Sequence, residues 1–349
     1  HGYLNGASAA AGPDATFGQR LFDPWQGVLS TRFAATFVMV AGIGITLLTE
    51  RSRTGGDAAA IADDRVRLVR RGVILYLGGL VLDWIWPGTI ILFYGAFFVA
   101  GALLFTLRTR TVLVIGGLSI AAAAAIQWWA IERRLDGESV DWLFFPRTLT
   151  TESPRGLFLD TVVNGTHPVL PWLAFLCVGI VVGRLLTDPA LSTERRRSEL
   201  GRLLGIGLVL VAGSYLLHEV LTSSDPTDAV RNSLLSTRPF DRGPLYVLGA
   251  IGTSLVALAA IWWLVDRVPQ SVPVRVLAVA GRTTLTLYVA HVFVFNLLVN
   301  DWEWVGRTGL DTALVFAGVF WAVAIAVAWV WSERVGQGPL ERWYRRFGG

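Results

Sequence analysis

Apolar runs almost free of charge, each close to the roughly 20 residues that cross a bilayer as a helix, return nine times along this chain. They lie at 32–49, 72–88, 89–106, 111–130, 167–184, 203–219, 243–264, 277–299 and 312–331. A helix satisfies its own backbone hydrogen bonds, as the hydrocarbon core demands of any segment within it. The expected fold is therefore all-α, a polytopic integral-membrane helical bundle with nine visible spans. Composition agrees, with 53% apolar and 16% charged residues, against roughly 25% charged in a soluble domain.

Charge and cysteine usage remove other classes. All 30 basic residues are arginine, but 26 acidic residues offset them to a net charge of +4, so no nucleic-acid partner is expected. Cys177 is the only cysteine and sits in an apolar run, which excludes an intrachain disulfide and a cysteine-cluster metal site. No metal is expected, and the chemistry falls to His, Asp, Glu, Tyr and Arg.

The arginines set the orientation. With segment 50–71 in the cytoplasm, 20 arginines fall on that side and 10 on the other, which is the bias of a positive-inside topology. Residues 1–31 then form an outer segment, 32–331 the membrane domain with a long outer loop at 131–166, and 332–349 a cytoplasmic tail. The expected location is the bacterial cytoplasmic membrane, with lipids as neighbours. The chain opens on His1 without a charged region leading into an apolar stretch, so a tenth helix is expected upstream. Tryptophan pairs at span ends (Trp84 and Trp86, Trp128 and Trp129, Trp302 and Trp304) suit an interfacial belt. A loop as long as 131–166 is more often functional than a linker, and here it would cap a site on the outer face.

Ionisable groups at membrane depth are costly and mark candidate sites. In span 277–299, Thr284, Tyr288 and His291 recur four and three residues apart, sharing one helical face. That stripe is expected to look into the bundle, with Arg282 at its cytoplasmic end and His291 roughly 14 Å further in. The bland alternative is interhelical hydrogen bonding. Ser214, Tyr215 and His218 repeat the pattern beside Glu219, and Tyr76, Gly79 and Asp83 share a face of span 72–88. Asp83 is either a site residue or a helix-pairing carboxylate, and Arg32 either holds an anionic group or sits among headgroups. On the inner side, Arg65, Arg67, Arg70 and Arg71 precede a span. Their planar forks suit phosphate oxygens such as those of coenzyme A, although positive-inside topology alone would also place them there. No Walker or dinucleotide glycine fingerprint is present.

Three segments resemble the bacterial branch of the heparan-α-glucosaminide N-acetyltransferase-like membrane proteins, relatives of the broader membrane acyltransferases. The first runs from Arg32 to Gly42, followed by Arg67–Arg71 and Tyr94-Gly95; the second is His167-Pro168-Val169-Leu170-Pro171-Trp172 through Gly183-Arg184. The third is Gly281-Arg282-Thr283-Thr284-Leu285-Thr286-Leu287-Tyr288-Val289-Ala290-His291, with Gly338-Pro339-Leu340-Glu341-Arg342 beyond it. The family's first helix, with its Asp and Arg-Gly signature, is not in this sequence, and the position of His167 is more usually aromatic.

The resemblance implies transfer of an acyl group, most simply acetyl, from cytoplasmic acyl-CoA as co-substrate to an envelope glycan or lipid acceptor outside. It implies a catalytic histidine at the outer end of the first helix, where His1 stands, and matches His291 through its Leu-x-Leu-Tyr-x-x-His segment. An imidazole can deprotonate an acceptor hydroxyl or carry the acyl group, and the choice between these stays open. Arg32, Asp83, His218 and Tyr288 are the candidate substrate contacts, and Arg70, Arg71 and Arg282 the candidate coenzyme A contacts. Alternatives are a proton-coupled transporter or flippase, and a non-catalytic subunit of an envelope-biosynthesis complex. Homo-oligomerisation is left open.

Overall fold

A computed structural model describes residues 15–23, 25–144, 153–186, 191–223, 225 and 228–349. About 80% is helix, and no strand occurs among the described residues. In chain order the helices are α1 (Phe17–Leu21), α2 (Arg32–Gly55), α3 (Ala58–Ile85), α4 (Ile91–Leu104), α5 (Thr109–Leu135), α6 (Asp141–Phe144) and α7 (Pro154–Leu159). They continue with α8 (Val169–Leu186), α9 (Thr193–Leu221), α10 (Ala229–Leu234), α11 (Pro244–Arg267), α12 (Val272–Gly281), α13 (Thr284–Phe295), α14 (Leu310–Arg334) and α15 (Pro339–Gly348). One π-helical turn, Asp160–Asn164, extends α7, and another, Asn296–Asp301, extends α13. Two compact units result: residues 31–262, and residues 1–30 with 263–349.

Among the described residues, seven helices are long and apolar enough to cross a membrane: α2, α5, α8, α9, α11, α13 with its π turn, and α14. This is a multi-pass membrane protein. The remaining expected spans, 72–88 and 89–106, correspond to the C-terminal half of α3 and to α4. At 14 residues, α4 is about 21 Å long, short of the roughly 30 Å hydrocarbon core. Segment 50–71, expected as a connection, is helical almost throughout. The Asp57 carboxylate caps α3 by accepting from the Ala59 amide at 3.0 Å, and arginines are good helix formers, so the apolar helix extends backward through its charged stretch. Gly56, at φ +68°, makes the left-handed turn out of α2, a conformation glycine adopts at little cost.

In the unit of residues 31–262, α8 is the most enclosed span. It crosses α2 where Gly42 meets the Leu176 carbonyl and Gly179 meets that of Met39. Small residues let membrane helices approach this closely. Phe175, Leu176 and Ile180 of α8 close over Ala35, Val38 and Met39 of α2. α3 and α4 form a hairpin whose Gly72 and Gly95 face each other, and α9 and α11 meet at Gly207 and Gly252. Thr36 of α2 bonds Ser254 of α11 across 2.9 Å.

In the other unit, α12 packs on α14, and α13 is tied to α15. Phe295 of α13 meets Phe316 of α14 edge to face at 5.8 Å. Many apolar side chains point outward, among them Val315, Val319, Val323 and Val327 of α14, as lipid-facing residues should.

Candidate functional site

At the end of the larger unit where α5 finishes and α8 and α11 begin, backbone irregularities combine to make a cavity with polar and apolar walls. Ser153 accepts from the Gly156 amide at 3.1 Å and starts α7. The π turn then widens the helix, and Gly165 donates its amide back to the Asp160 carbonyl at 2.8 Å. Opposite, Arg242 has a left-handed backbone, φ +52°. Its guanidinium donates to the carbonyls of Val163 at 3.2 Å, Asn164 at 3.4 Å and Gly165 at 2.5 Å. It thereby stitches the loop before α11 to the π turn. Burial draws the Arg242 pKa down to about 10, with Tyr246 and Asp160 pulling it back up, so it stays cationic at neutral pH.

The third wall comes from α5. Nε2 of Gln127 donates to the Ser233 hydroxyl at 2.7 Å and to the Asp241 carbonyl. Between these walls lies a cavity of about 220 Å³, lined by Gln127, Asn164, Pro171, Phe240, Asp241 and Arg242 among others. The Gln127 Oε1 and Asn164 Oδ1 atoms are buried without a hydrogen-bond partner.

His167 and Trp172 are further polar side chains of this end. The helix begins at Val169, two residues after the expected start of the span at His167. His167 therefore lies in the preceding segment, where its ring stands edge-on to Phe93 at 5.8 Å and Trp172 at 4.7 Å. Its Nδ1 and the Trp172 Nε1 are buried without partners. Burial, reinforced by the Arg242 charge, pushes the His167 pKa down to about 3, leaving a neutral imidazole.

Three of the candidate substrate contacts lie in this unit and hold protein atoms. Arg32 is buried, donating to the Tyr246 carbonyl at 2.9 Å and lying 4.8 Å over its ring; this corrects the headgroup alternative, since Tyr246 and the Thr237 carbonyl enclose the guanidinium. The Asp83 carboxylate accepts from the Gly88 amide at 3.0 Å, pinning the Trp86-Pro87-Gly88 turn. His218 Nδ1 donates to the Leu235 carbonyl at 2.9 Å, joining α9 to the loop beyond α10. Of the loop expected at 131–166, residues 131–135 continue α5, Val163 and Asn164 line the cavity, and 145–152 lie outside the described residues.

At the opposite end of α3 the arginine run divides. Arg65 donates to the Ala102 carbonyl at 3.1 Å, and Arg67 pairs with Asp64 at 2.9 Å, whose other oxygen accepts from Ser52 at 2.6 Å. Arg70 is exposed and Arg71 half-buried. Arg70 is thus the most open of the four to a phosphate.

The third resembling segment lies in the other unit, and here the continuous polar stripe is corrected. The helix expected over 277–299 breaks at Arg282–Thr283, between α12 and α13. The Thr283 and Thr284 hydroxyls donate back to the Ala280 and Gly281 carbonyls at 3.0 and 2.8 Å, and such bonding competes with the helix ladder. The buried residues of α13 are Leu287, Val292 and Phe295, while Thr284 is exposed. Tyr288 and His291 do meet, their rings edge to face at 4.9 Å, and the His291 Nδ1 contacts the Tyr288 carbonyl. Phe320 packs on the other side of the His291 ring. His1 lies outside the described residues, and no cluster of metal-ligating side chains occurs among those described.

Gln127, Asn164 and Arg242 are absent from the sequence-derived site. Gln127 carried a usable signal as an amide within an apolar span. Arg242 gave none, since an arginine just before a span looks like a topological charge.

The larger unit is a multi-span helical bundle with a cavity at one end lined by Gln127, Asn164 and Arg242 among others. The family model described as heparan-alpha-glucosaminide N-acetyltransferase, catalytic, matches residues 16–220, more than half of the chain, and the chain belongs to that family. A second family, described only as a protein of unknown function (DUF418), matches residues 187–348. No curated protein and no solved structure matches the chain.

Proposed function

We propose that this protein is a membrane acyltransferase that passes an acetyl group from cytoplasmic acetyl-CoA to an envelope glycan or lipid on the outer side. The family match over 16–220 carries the reading, because its members take acetyl-CoA as donor. The excess of arginine on one side of the spans supports the orientation. Arg70 and Arg71 meet the coenzyme A phosphates, where a planar guanidinium can engage two oxygens at once, and Arg282 is a separate candidate for a phosphate contact. His291, with Tyr288 against its ring, deprotonates the acceptor hydroxyl or carries the acetyl group, and His1 shares that chemistry. Arg32, Asp83 and His218 shape the acceptor side through the backbone atoms they hold.

The test is transfer of label from acetyl-CoA to envelope material in membranes containing the full chain. A His1→Ala, His291→Ala double variant is expected to lose the transfer. Equal transfer by that variant would overturn the assignment of the two histidines.

A further inference from the structure

Helix α15 is held against the ends of two spans. Only residues 335–338 separate it from α14, and across that turn the Trp331 indole donates to the Gln337 carbonyl at 3.0 Å. In its first turn Glu341 accepts from the Thr286 amide at the start of α13, at 3.0 Å. Since α13 and α14 are both long and apolar enough to cross the bilayer, α15 is fixed at the level where spans end and headgroups begin. Its surface divides into stripes of residues four apart, which are neighbours on a helix. Leu340 and Tyr344 are half-buried. In the next stripe Trp343 and Phe347 are 52% and 54% exposed, their rings 5.2 Å apart. Beside these stand Arg342 and Arg346, both exposed, their guanidiniums 5.9 Å from the rings of Trp331 and Phe347. The one acid of the helix, Glu341, is engaged by Thr286, so the open side of α15 carries cations alone. Glu333 and Arg334, exposed in the last turn of α14, offset each other.

An aromatic stripe flanked by arginines matches the two sides of a headgroup layer. Aromatic rings settle at the boundary between water and acyl chains, while guanidinium forks reach phosphate oxygens. Helices of this kind lie in the interface, and anionic lipids strengthen their hold because the negative surface attracts each nearby arginine. We infer that α15 docks on the lipid surface through Trp343 and Phe347 and selects anionic headgroups through Arg342 and Arg346. It thereby fastens the adjoining ends of α13 and α14 to the leaflet. This docking does not depend on the acyltransferase reading.

The test places a bimane fluorophore on a Gly349→Cys variant of the full chain, next to the end of α15. The native Cys177 is buried, and the unaltered chain taken through the same labelling gives the background. The labelled protein is reconstituted into two kinds of vesicle, each half brominated phosphatidylcholine as quencher. The other half is plain phosphatidylcholine in one and phosphatidylglycerol in the second. Quenching is expected in both and about twofold stronger in the anionic vesicles, as attraction of arginines to a negative surface requires. In the same background, Arg342→Gln with Arg346→Gln should remove the difference between the lipids. Trp343→Ser with Phe347→Ser should lower quenching in both. The comparison of lipids leaves the docking surface unaltered, so it decides the question even if a variant fails to fold. Equal quenching in the two lipids, or none in either, would overturn the inference and leave this face to a protein partner or a soluble anion. A lipid difference that survives the double arginine substitution would overturn the role of Arg342 and Arg346.

Discussion

The carboxylate of Glu341 closes the N-terminus of α13: Oε1 accepts from the Thr286 amide at 3.0 Å and Oε2 from the Thr286 hydroxyl at 2.5 Å. The same hydroxyl oxygen accepts from the Leu340 amide at 3.2 Å. Thr286 is the third residue of α13, where helix amides lack intrahelical partners and a negative charge is favoured. This gives the Gly338-Pro339-Leu340-Glu341 segment a physical reason, since it starts α15 so that its glutamate reaches α13. Glu341→Ala should destabilise the protein by about 1–2 kcal/mol, with Glu341→Gln recovering part of the loss. Thermal unfolding in detergent measures both.

Gly42 and Gly179 set the approach of α2 to α8. A methyl group on Gly42 would stand 2.5 Å from the Leu176 carbonyl oxygen, and one on Gly179 would overlap that of Met39. Neither obstacle can move without shifting a helix backbone. Gly179→Ala is expected to cost about 1–3 kcal/mol and to lower the yield of folded protein. Gly44→Ala, with open space around the added carbon, should leave both unchanged. Size-exclusion chromatography of the detergent-solubilised variants checks the contrast.

His167 makes stability depend on pH. The folded imidazole takes a proton only near pH 3, against an ordinary value of 6.5, so below 6.5 the unfolded chain binds a proton that the folded one refuses. Stability from the neutral ring is full above pH 6.5 and lost progressively as pH falls toward 3. At pH 5 the loss is about 2 kcal/mol. His167→Phe keeps an aromatic edge between Phe93 and Trp172 and removes this dependence, so its unfolding temperature should fall less than that of the parent between pH 7 and pH 5. Parallel curves would contradict the neutral, enclosed histidine.

Arg70 and Arg71 should matter to the donor and not to the acceptor. An Arg70→Ala, Arg71→Ala variant is expected to raise KM for acetyl-CoA about tenfold or more, as the loss of a charged phosphate contact should, with the acceptor KM unchanged. Arg67→Ala, whose partner is Asp64, should instead register in stability. Initial rates at varied acetyl-CoA separate the two.

The helical class and most of the spans follow from apolar runs, because in a bilayer the same runs must be helices. The break at Arg282–Thr283 does not, since helical periodicity carries no record of threonine hydroxyls bonding backward to Ala280 and Gly281. The extension of α3 through its arginines is not legible from charge, which marks helix ends as often as exposed helix faces; Asp57 and Gly56 supply the start. Arg32 stands out in the sequence, but its partners, the Tyr246 and Thr237 carbonyls, lie more than 200 residues away in the chain. The cavity was legible only in fragments. Its walls come from α5, the π turn and the loop before α11, and it is the side-chain bonds of Gln127 and Arg242 that bring them together.

The most direct measurement is of acetyl-CoA itself, in sealed membrane vesicles that contain the full chain and have the donor on the cytoplasmic side. Consumption of labelled acetyl-CoA should exceed that of control vesicles, with the label recovered on an envelope glycan or lipid, and His291→Ala should abolish the excess. Unchanged acetyl-CoA, together with solute uptake that follows a proton gradient, would contradict acyl transfer and identify a transporter instead.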